Sequence, residues 1–285
     1  MDKDYIYEFI GNAVESVIGF IRDNFFHLIW FALYFGFFFY ITGGYSIFVY
    51  FVTVSLAFSS MAEGLWRSIS GVRPLRLKSE KERLLPLFKE VYEGARTTNP
   101  QLSKKIRLYI KEDMTINAFA FGRSTLVLTR GSIELLDDNC QKGLIAHEFG
   151  HFSHRHTEAL LLFMVGNLPM TFIMRVLTDM KNHFNMSENK GTLITSIFRM
   201  LFDFIYWIFR SLEFIGDLII MRSSRQKEYI ADDFAHQSSF GTELTNVLIE
   251  IYSVSISKPQ SVKEQLRSTH PHITLRIEEL EAVIY

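Results

Sequence analysis

The chain has 285 residues, with 30 basic and 31 acidic side chains and a formal charge of -1, a balance that gives no electrostatic reason to bind nucleic acid. Its single cysteine, Cys140, excludes an internal disulfide. Aromatic residues make up 15%, with 27 Phe, and the mean hydropathy is positive, a composition high for a water-soluble protein and ordinary for one partly dissolved in lipid.

Residues 1–24 carry Asp2, Asp4, Glu8, Glu15 and Asp23 against two basic side chains. Apolar positions at Phe9, Val14, Val17, Ile18 and Ile21 recur at helical spacing, which predicts an amphipathic segment near a membrane surface. From Phe25 to Met61 there is no Asp, Glu, Lys or Arg, and His27 is the one histidine. Thr42-Gly43-Gly44 interrupts this run where glycines permit a tight reversal. Each half is about 17 residues, or roughly 26 Å as helix, close to a hydrocarbon thickness. The pattern predicts a transmembrane hairpin over residues 25–62. A secretory signal peptide does not fit, because the run is too long and no small-residue cleavage site follows it. Arg67, Arg73, Arg76, Lys78, Lys81 and Arg83 crowd the exit of the second span, so the domain after it is expected in the cytoplasm.

Ser79–Thr98 reads as a helix that Asn99-Pro100 ends. Three stretches have strand character: Ile106–Ile110, Ile116–Phe121 and Thr125–Thr129, the last two joined by a turn at Gly122-Arg123-Ser124. A short helix over Ser132–Leu136 precedes a long helical pattern that starts near Asp138. That pattern continues into Ala159–Leu177, apolar until Arg175, with a kink expected at Pro169. Leu193–Ile220 is apolar too, but Arg199, Asp203, Arg210, Glu213 and Asp217 share one of its faces. A lone lipid-facing helix would not tolerate them, so the helix either packs this stripe against protein, as a fourth span, or rises out of the membrane. The fold expected is mainly α with a small β-sheet. Residues 63–158 and 221–285 form the catalytic domain, and 159–220 form a second apolar hairpin between its parts. Three further helices are expected at Arg222–Ser238, Glu243–Val254 and His272–Ile284.

The chemistry is carried by His147-Glu148-Phe149-Gly150-His151. Histidines four apart on a helix point the same way, one turn apart, and two imidazoles so placed can hold one tetrahedral zinc. Glu148, rotated about 100° from His147, lies beside such an ion, where it can take a proton from an activated water. A third ligand is needed. Three side chains stacked along one straight helix cannot wrap a tetrahedral ion, so His154 is read as solvated or structural. His156 falls on the opposite face and is read the same way. Glu228 is the stronger candidate, with Asp232 one turn further on to orient His147 or His151. Cys140 is read as a small helix residue.

At these residues the chain resembles the HtpX-like family of membrane zinc peptidases, relatives of the CAAX prenyl endopeptidases. The resemblance covers residues from about 60 to 285. It rests on Asn117-Ala118-Phe119, His147-Glu148-x-x-His151, Glu228-x-x-x-Asp232, and His270-Pro271 with Arg276 six residues after the histidine. It implies a gluzincin-type, cytoplasm-facing endopeptidase of a bacterial-type cell membrane, holding one zinc ion and cleaving unfolded or misfolded membrane proteins. It further implies that Asn117, Ala118 and Phe119 form an edge strand binding substrate backbone, a mode largely indifferent to sequence. His270 and Arg276 would stabilise the oxyanion and support the zinc ligands. The acidic segment 1–24 departs from the family, whose members start close to the first span. Two other readings remain: a peptidase restricted to prenylated substrates, which has relatives with more spans, and a non-catalytic scaffold with structural zinc, which a ligand set of two His and one Glu disfavours.

Overall fold

A computed structural model of the chain describes residues 18–19, 21–22, 25–186, 193–255 and 272–284. Most of the segment 1–24, and His270 with Pro271, therefore lie outside the described residues; Ile18 and Ile21 are exposed. The apolar run forms two helices, α1 (Phe25–Thr42) and α2 (Tyr45–Ala57), which reverse at the expected glycines. A third helix, α3 (Ser60–Ile69), follows, and the sequence had not signalled it. Among the described residues no single helix is long and apolar enough to cross a membrane. Ile47–Ala57 and Ser60–Ile69 meet that measure together, bent by 67°.

A four-stranded sheet comes next, in the order β1-β2-β4-β3. It comprises β1 (Val72–Pro74), β2 (Arg107–Lys111), β3 (Ala118–Phe121) and β4 (Thr125–Thr129). Strand β2 runs parallel to β4, and the other two pairs are antiparallel. Strand β1 is an addition to the three stretches read from sequence, since a three-residue strand containing Arg73 and Pro74 leaves no alternation to detect. The turn at Gly122 has φ +60°, a conformation open to glycine and strained for other residues. Strand β3 starts at Ala118, two residues later than expected. At Asn117 the backbone N–H is taken instead by Thr129 Oγ1 (3.0 Å) and Ser132 Oγ (2.7 Å), and its carbonyl accepts from both hydroxyls.

Between β1 and β2 runs α4 (Lys78–Thr98). Glu80 accepts the exposed N–H groups of Arg76 and Leu77 at its start, and Leu84, Leu87, Val91 and Ala95 form its core stripe. After the sheet come α5 (Arg130–Leu135) and α6 (Asp138–Ser153). Asp137 caps α6 by accepting the Cys140 N–H at 2.7 Å. Helix α6 is buried from Cys140 to Gly150 apart from Lys142 because α4, β3, α8 (Leu193–Gln237) and α9 (Gly241–Ser255) all pack on it. Burial pushes the Cys140 thiol up to about 12, which fits a packed rather than a reactive residue.

Two expectations need correction here. The helical pattern from Asp138 is not continuous: it breaks at His154 and Arg155, where φ is 54°, before α7 (His156–Met186) begins. Conversely, Leu193–Ile220 and Arg222–Ser238 are not separate helices. They form the single 45-residue helix α8, roughly 68 Å long at 1.5 Å per residue. The apolar parts of α1, α2, α7 and α8 share a small second core, with Tyr50 and Met174 buried among Phe35, Phe37, Tyr206 and Phe209. Of the charged stripe on α8, Asp203 pairs with Lys181 of α7 at 3.2 Å. The last helix, α10 (Ile273–Ile284), packs on α8 and α9.

Candidate functional site

Helix α6 delivers His147, Glu148 and His151; the C-terminal half of α8 delivers Glu228 and Asp232; α10 delivers Arg276. The two long helices can meet this closely because residue 150 is glycine. A Cβ there would lie 2.7 Å from the Ala231 Cα, so any larger residue would force α8 away.

Glu228 Oε2 lies 3.5 Å from His147 Nε2, and Glu228 Oε1 lies 3.5 Å from His151 Nε2. One ligand atom from each of the three residues falls within 4.8 Å of the others. Tetrahedral zinc with bonds of about 2.0–2.1 Å needs ligand atoms about 3.3–3.4 Å apart, and each histidine nitrogen lies close to that distance from one of the two Glu228 oxygens. The outward faces of both imidazoles are also held. Asp232 Oδ1 is 2.8 Å from His147 Nδ1, and His156 Nδ1 is 3.1 Å from His151 Nδ1. The donor set and its support therefore fit a divalent ion bound by nitrogen and oxygen.

Arg276 offsets part of the negative charge in the site. Its Nε and Nη2 bond both oxygens of Asp232 at 2.7 and 2.6 Å, and its Nη1 lies 3.1 Å from Glu228 Oε2. All of these groups are buried. Desolvation works against ionised Asp232, but Arg276 and His147 outweigh it and hold its pKa below the usual carboxylate value. Desolvation likewise disfavours a charged His147, yet Asp232 and Glu228 raise its pKa to about 10.

The structure thus brings together His147, Glu148, His151, Glu228, Asp232 and Arg276, and it assigns Asp232 to His147 rather than to His151. Ala118 and Phe119 lie on β3, which has one strand neighbour and packs against α6; Asn117 sits just before it. The ring of His154 turns to the Gly150 carbonyl, with its Nδ1 3.1 Å away. His272 is exposed and bonds Thr274 Oγ1. His156 is the residue that sequence reasoning missed. A straight helix would have aimed it away from the site, whereas the break at Arg155 returns its ring to His151. Buried beside His151, Lys227 and His154, it has a pKa well below the usual histidine value, and its Nε2 has no hydrogen-bond partner.

Comparison with known proteins agrees with this geometry. The profile of peptidase family M48 matches residues 79–284. A protein named protease HtpX homolog from Bacillus pumilus (strain SAFR-032) is 26% identical over 250 residues, covering 79% of this chain and 80% of that protein. Its namesake from Bacillus subtilis (strain 168) is 25% identical over 251 residues with the same coverage. The crystal structure of S. mikatae Ste24p superposes with a TM-score of 0.54 at 20% identity, over 95% of this chain and 65% of that one. At that identity the likeness is one of fold, and this chain spans just under two thirds of the Ste24p length.

Proposed function

The chain belongs to peptidase family M48, and from that premise we propose that it is a membrane-bound, zinc-dependent endopeptidase in which Glu148 is the general base. The observation that carries this reading is the position of Glu228, whose Oε2 lies 3.5 Å from His147 Nε2 and whose Oε1 lies 3.5 Å from His151 Nε2, so that among the described residues these three could hold one metal ion. When bound, zinc supplies a Lewis acid that acidifies a water and polarises a peptide carbonyl.

The chain's own residues do the rest. Asp232 fixes the tautomer of His147 by accepting its Nδ1 proton, which leaves Nε2 free to ligate. His156, kept neutral, accepts from His151 Nδ1 in the same way. Glu148, next to His147 and buried, takes the proton of the attacking water and returns it to the leaving amine. Arg276 pairs with the carboxylates of both Glu228 and Asp232 and supplies one positive charge against their two, which helps keep them ionised away from solvent. The unpaired side of β3 receives substrate backbone through Ala118 and Phe119, with Asn117 at its entrance. His270, just ahead of α10 in the chain, is the assigned oxyanion donor. A main-chain mode of binding suits unfolded or misfolded membrane proteins as substrates.

Membrane embedding is supported by the outward faces of α1, α2 and α8. Leu33, Phe39, Phe48, Phe51, Phe204 and Trp207 are all exposed, and such a patch demands an apolar surround. The peptidase domain, residues 63–158 with 221–285, would face the cytoplasm of a bacterial-type cell.

The decisive experiment is Glu148→Gln in zinc-loaded protein incubated with casein. Cleavage is expected to vanish while zinc stays bound at one ion per chain. Unchanged cleavage would remove Glu148 from its role, and loss of zinc would place it among the ligands instead.

A further inference from the structure

Helix α3 presents two faces with different partners. Met61, Leu65 and Ile69, at i, i+4 and i+8, are 81%, 60% and 77% exposed, and the polar residue beside them on this face is Ser68. Its other face holds Glu63, Trp66 and Arg67, and all three are spent on the β3–β4 hairpin. Glu63 Oε1 accepts from the Ser124 N–H, the Ser124 hydroxyl and the Thr125 hydroxyl at 3.1, 3.0 and 2.6 Å. The Trp66 ring stacks on Phe121 with centroids 3.8 Å apart and meets Phe119 edge-on. Arg67 donates to Thr125 Oγ1 at 2.8 Å. At the hairpin tip Arg123 lies over the ring of Phe58, the residue at the bend between α2 and α3, and pairs with Glu158 at the start of α7.

From this we propose that α3 lies in the interfacial layer of the bilayer, with Met61, Leu65 and Ile69 immersed, and that it fixes the substrate-binding edge strand to the membrane surface. The proposal rests on the membrane reading given above. Lipid is the occupant because α3 continues α2 directly, and α2 exposes Ile47, Phe48, Val49, Phe51 and Leu56 to the same surround. The two helices reach the length and hydropathy of a span only together, and the 67° bend between them is the turn that would carry α3 from the path of α2 into the plane of the surface. Both charged residues of α3 face inward. Arg76, Lys78 and Lys81, all exposed, follow shortly in the chain and complement anionic headgroups.

The consequence is a substrate class. An edge held one helix thickness, about 10–12 Å, from the lipid favours unfolded segments that leave the same bilayer beside the enzyme over chains free in solution.

The test uses single introduced cysteines, since buried Cys140 will not react. Spin labels at Phe51→Cys, Leu65→Cys and Leu135→Cys are compared in vesicles of phosphatidylcholine and phosphatidylglycerol by their collision rates with oxygen and with a water-soluble nickel chelate. Position 51 should read as lipid, 135 as water and 65 as the headgroup boundary. A label at 65 that matches 135 while 51 reads as lipid overturns the proposal and leaves the membrane reading standing. If 51 also reads as water, the membrane reading itself fails. As a functional arm, the combined Met61→Ser, Leu65→Ser, Ile69→Ser protein should lose about tenfold in cleavage of a bilayer-anchored unfolded peptide and nothing against casein. Equal loss on both substrates would reduce α3 to a structural brace and refute the coupling.

Discussion

The two ends of α8 invert one another. Toward its start Met200, Leu201, Phe204 and Trp207 are exposed, while toward its end Lys227, Glu228 and Asp232 are buried. One continuous helix therefore shows apolar side chains outward in one half, beside the exposed Arg199, Asp203 and Arg210, and encloses Lys227, Glu228 and Asp232 in the other. Burial here follows partners rather than polarity. Glu228 and Asp232 lie inside because His147 and Arg276 satisfy them. Phe204 and Trp207 lie outside because the surround is expected to be as apolar as they are. A helix is suited to this change of medium, since its backbone hydrogen bonds stay within the segment whatever lies around it.

The largest effect that would break this comparison comes from Glu228→Ala. Loss of an outer hydrogen-bond partner typically costs 10–100-fold in metal affinity, so loss of a ligand should exceed about 100-fold. The purified variant should retain far less than one zinc per chain. Stoichiometric zinc in that variant would move the third ligand elsewhere. Next in size is Arg276→Met, which removes the guanidinium that pairs with both buried carboxylates and leaves them facing His147 and, for Glu228, His151. Breaking a buried pair in this way costs about 3–5 kcal/mol. A markedly lowered thermal midpoint for the metal-free protein is expected, and an unchanged midpoint would mean that solvent reaches the site.

At the other end of the same helix the chemistry of the damage should reverse. On the membrane reading proposed above, a charge introduced at Trp207 would meet lipid rather than protein, at a cost of about 2.5–3.5 kcal/mol near mid-bilayer on insertion scales. Trp207→Lys should therefore lower stability in vesicles while leaving zinc content intact. If the same change is neutral in vesicles, that half of α8 lies in water and the inversion disappears. A smaller effect is expected from His156→Ala, about 10–100-fold in zinc affinity, read by competition with a chelator. His156→Asn, which keeps an acceptor near His151, should recover part of it. Equal affinity in all three proteins would make His156 a packing residue alone.

The two halves of α8 were unequally legible. Glu228 and Asp232 stood out because a carboxylate pair one turn apart has a direct use beside two histidines one turn apart. The helix joining them to Leu193 did not stand out as one piece. The polar run Arg222–Arg225 looked like an end, although a helix can change surroundings without ending. His156 was hidden for the opposite reason. Its helix does end, at an arginine with φ 54°, and nothing in Arg155 announces a left-handed residue. Likewise β1 was too short to alternate, and α3 resembled the tail of an apolar run because its buried face carries Glu63 and Arg67. The hairpin β3–β4 was legible from its glycine turn and its alternating Phe119 and Phe121.

The smallest effect separates the buried ion pairs of the site from a second charge cluster, at the junction of sheet and α4. There Arg73 and Arg130 bridge Glu80 and Glu112, with contacts of 2.6 to 3.1 Å. Hydrogen bonds from Arg73 in the first place, then from Arg130, hold Glu80 down to about 2. Arg130 and then Arg73 do the same for Glu112. A carboxylate with a depressed folded pKa lends stability above its unfolded value near 4.5, and that stability drains away as pH falls toward 2. Glu80, with its side chain 5% exposed, should dominate over Glu112 at 51%, whose pairing solvent screens. The thermal midpoint of the metal-free protein should thus decline as pH is lowered from about 5 to about 2, and Glu80→Gln should be less stable at pH 7 with a shallower acid slope. Arg276→Met should leave the part of that slope due to Glu80 in place, because the two clusters share no residue. If Glu80→Gln instead keeps the full slope, the acid-labile charges of this protein belong to the metal-type site, and the sheet junction is held by packing.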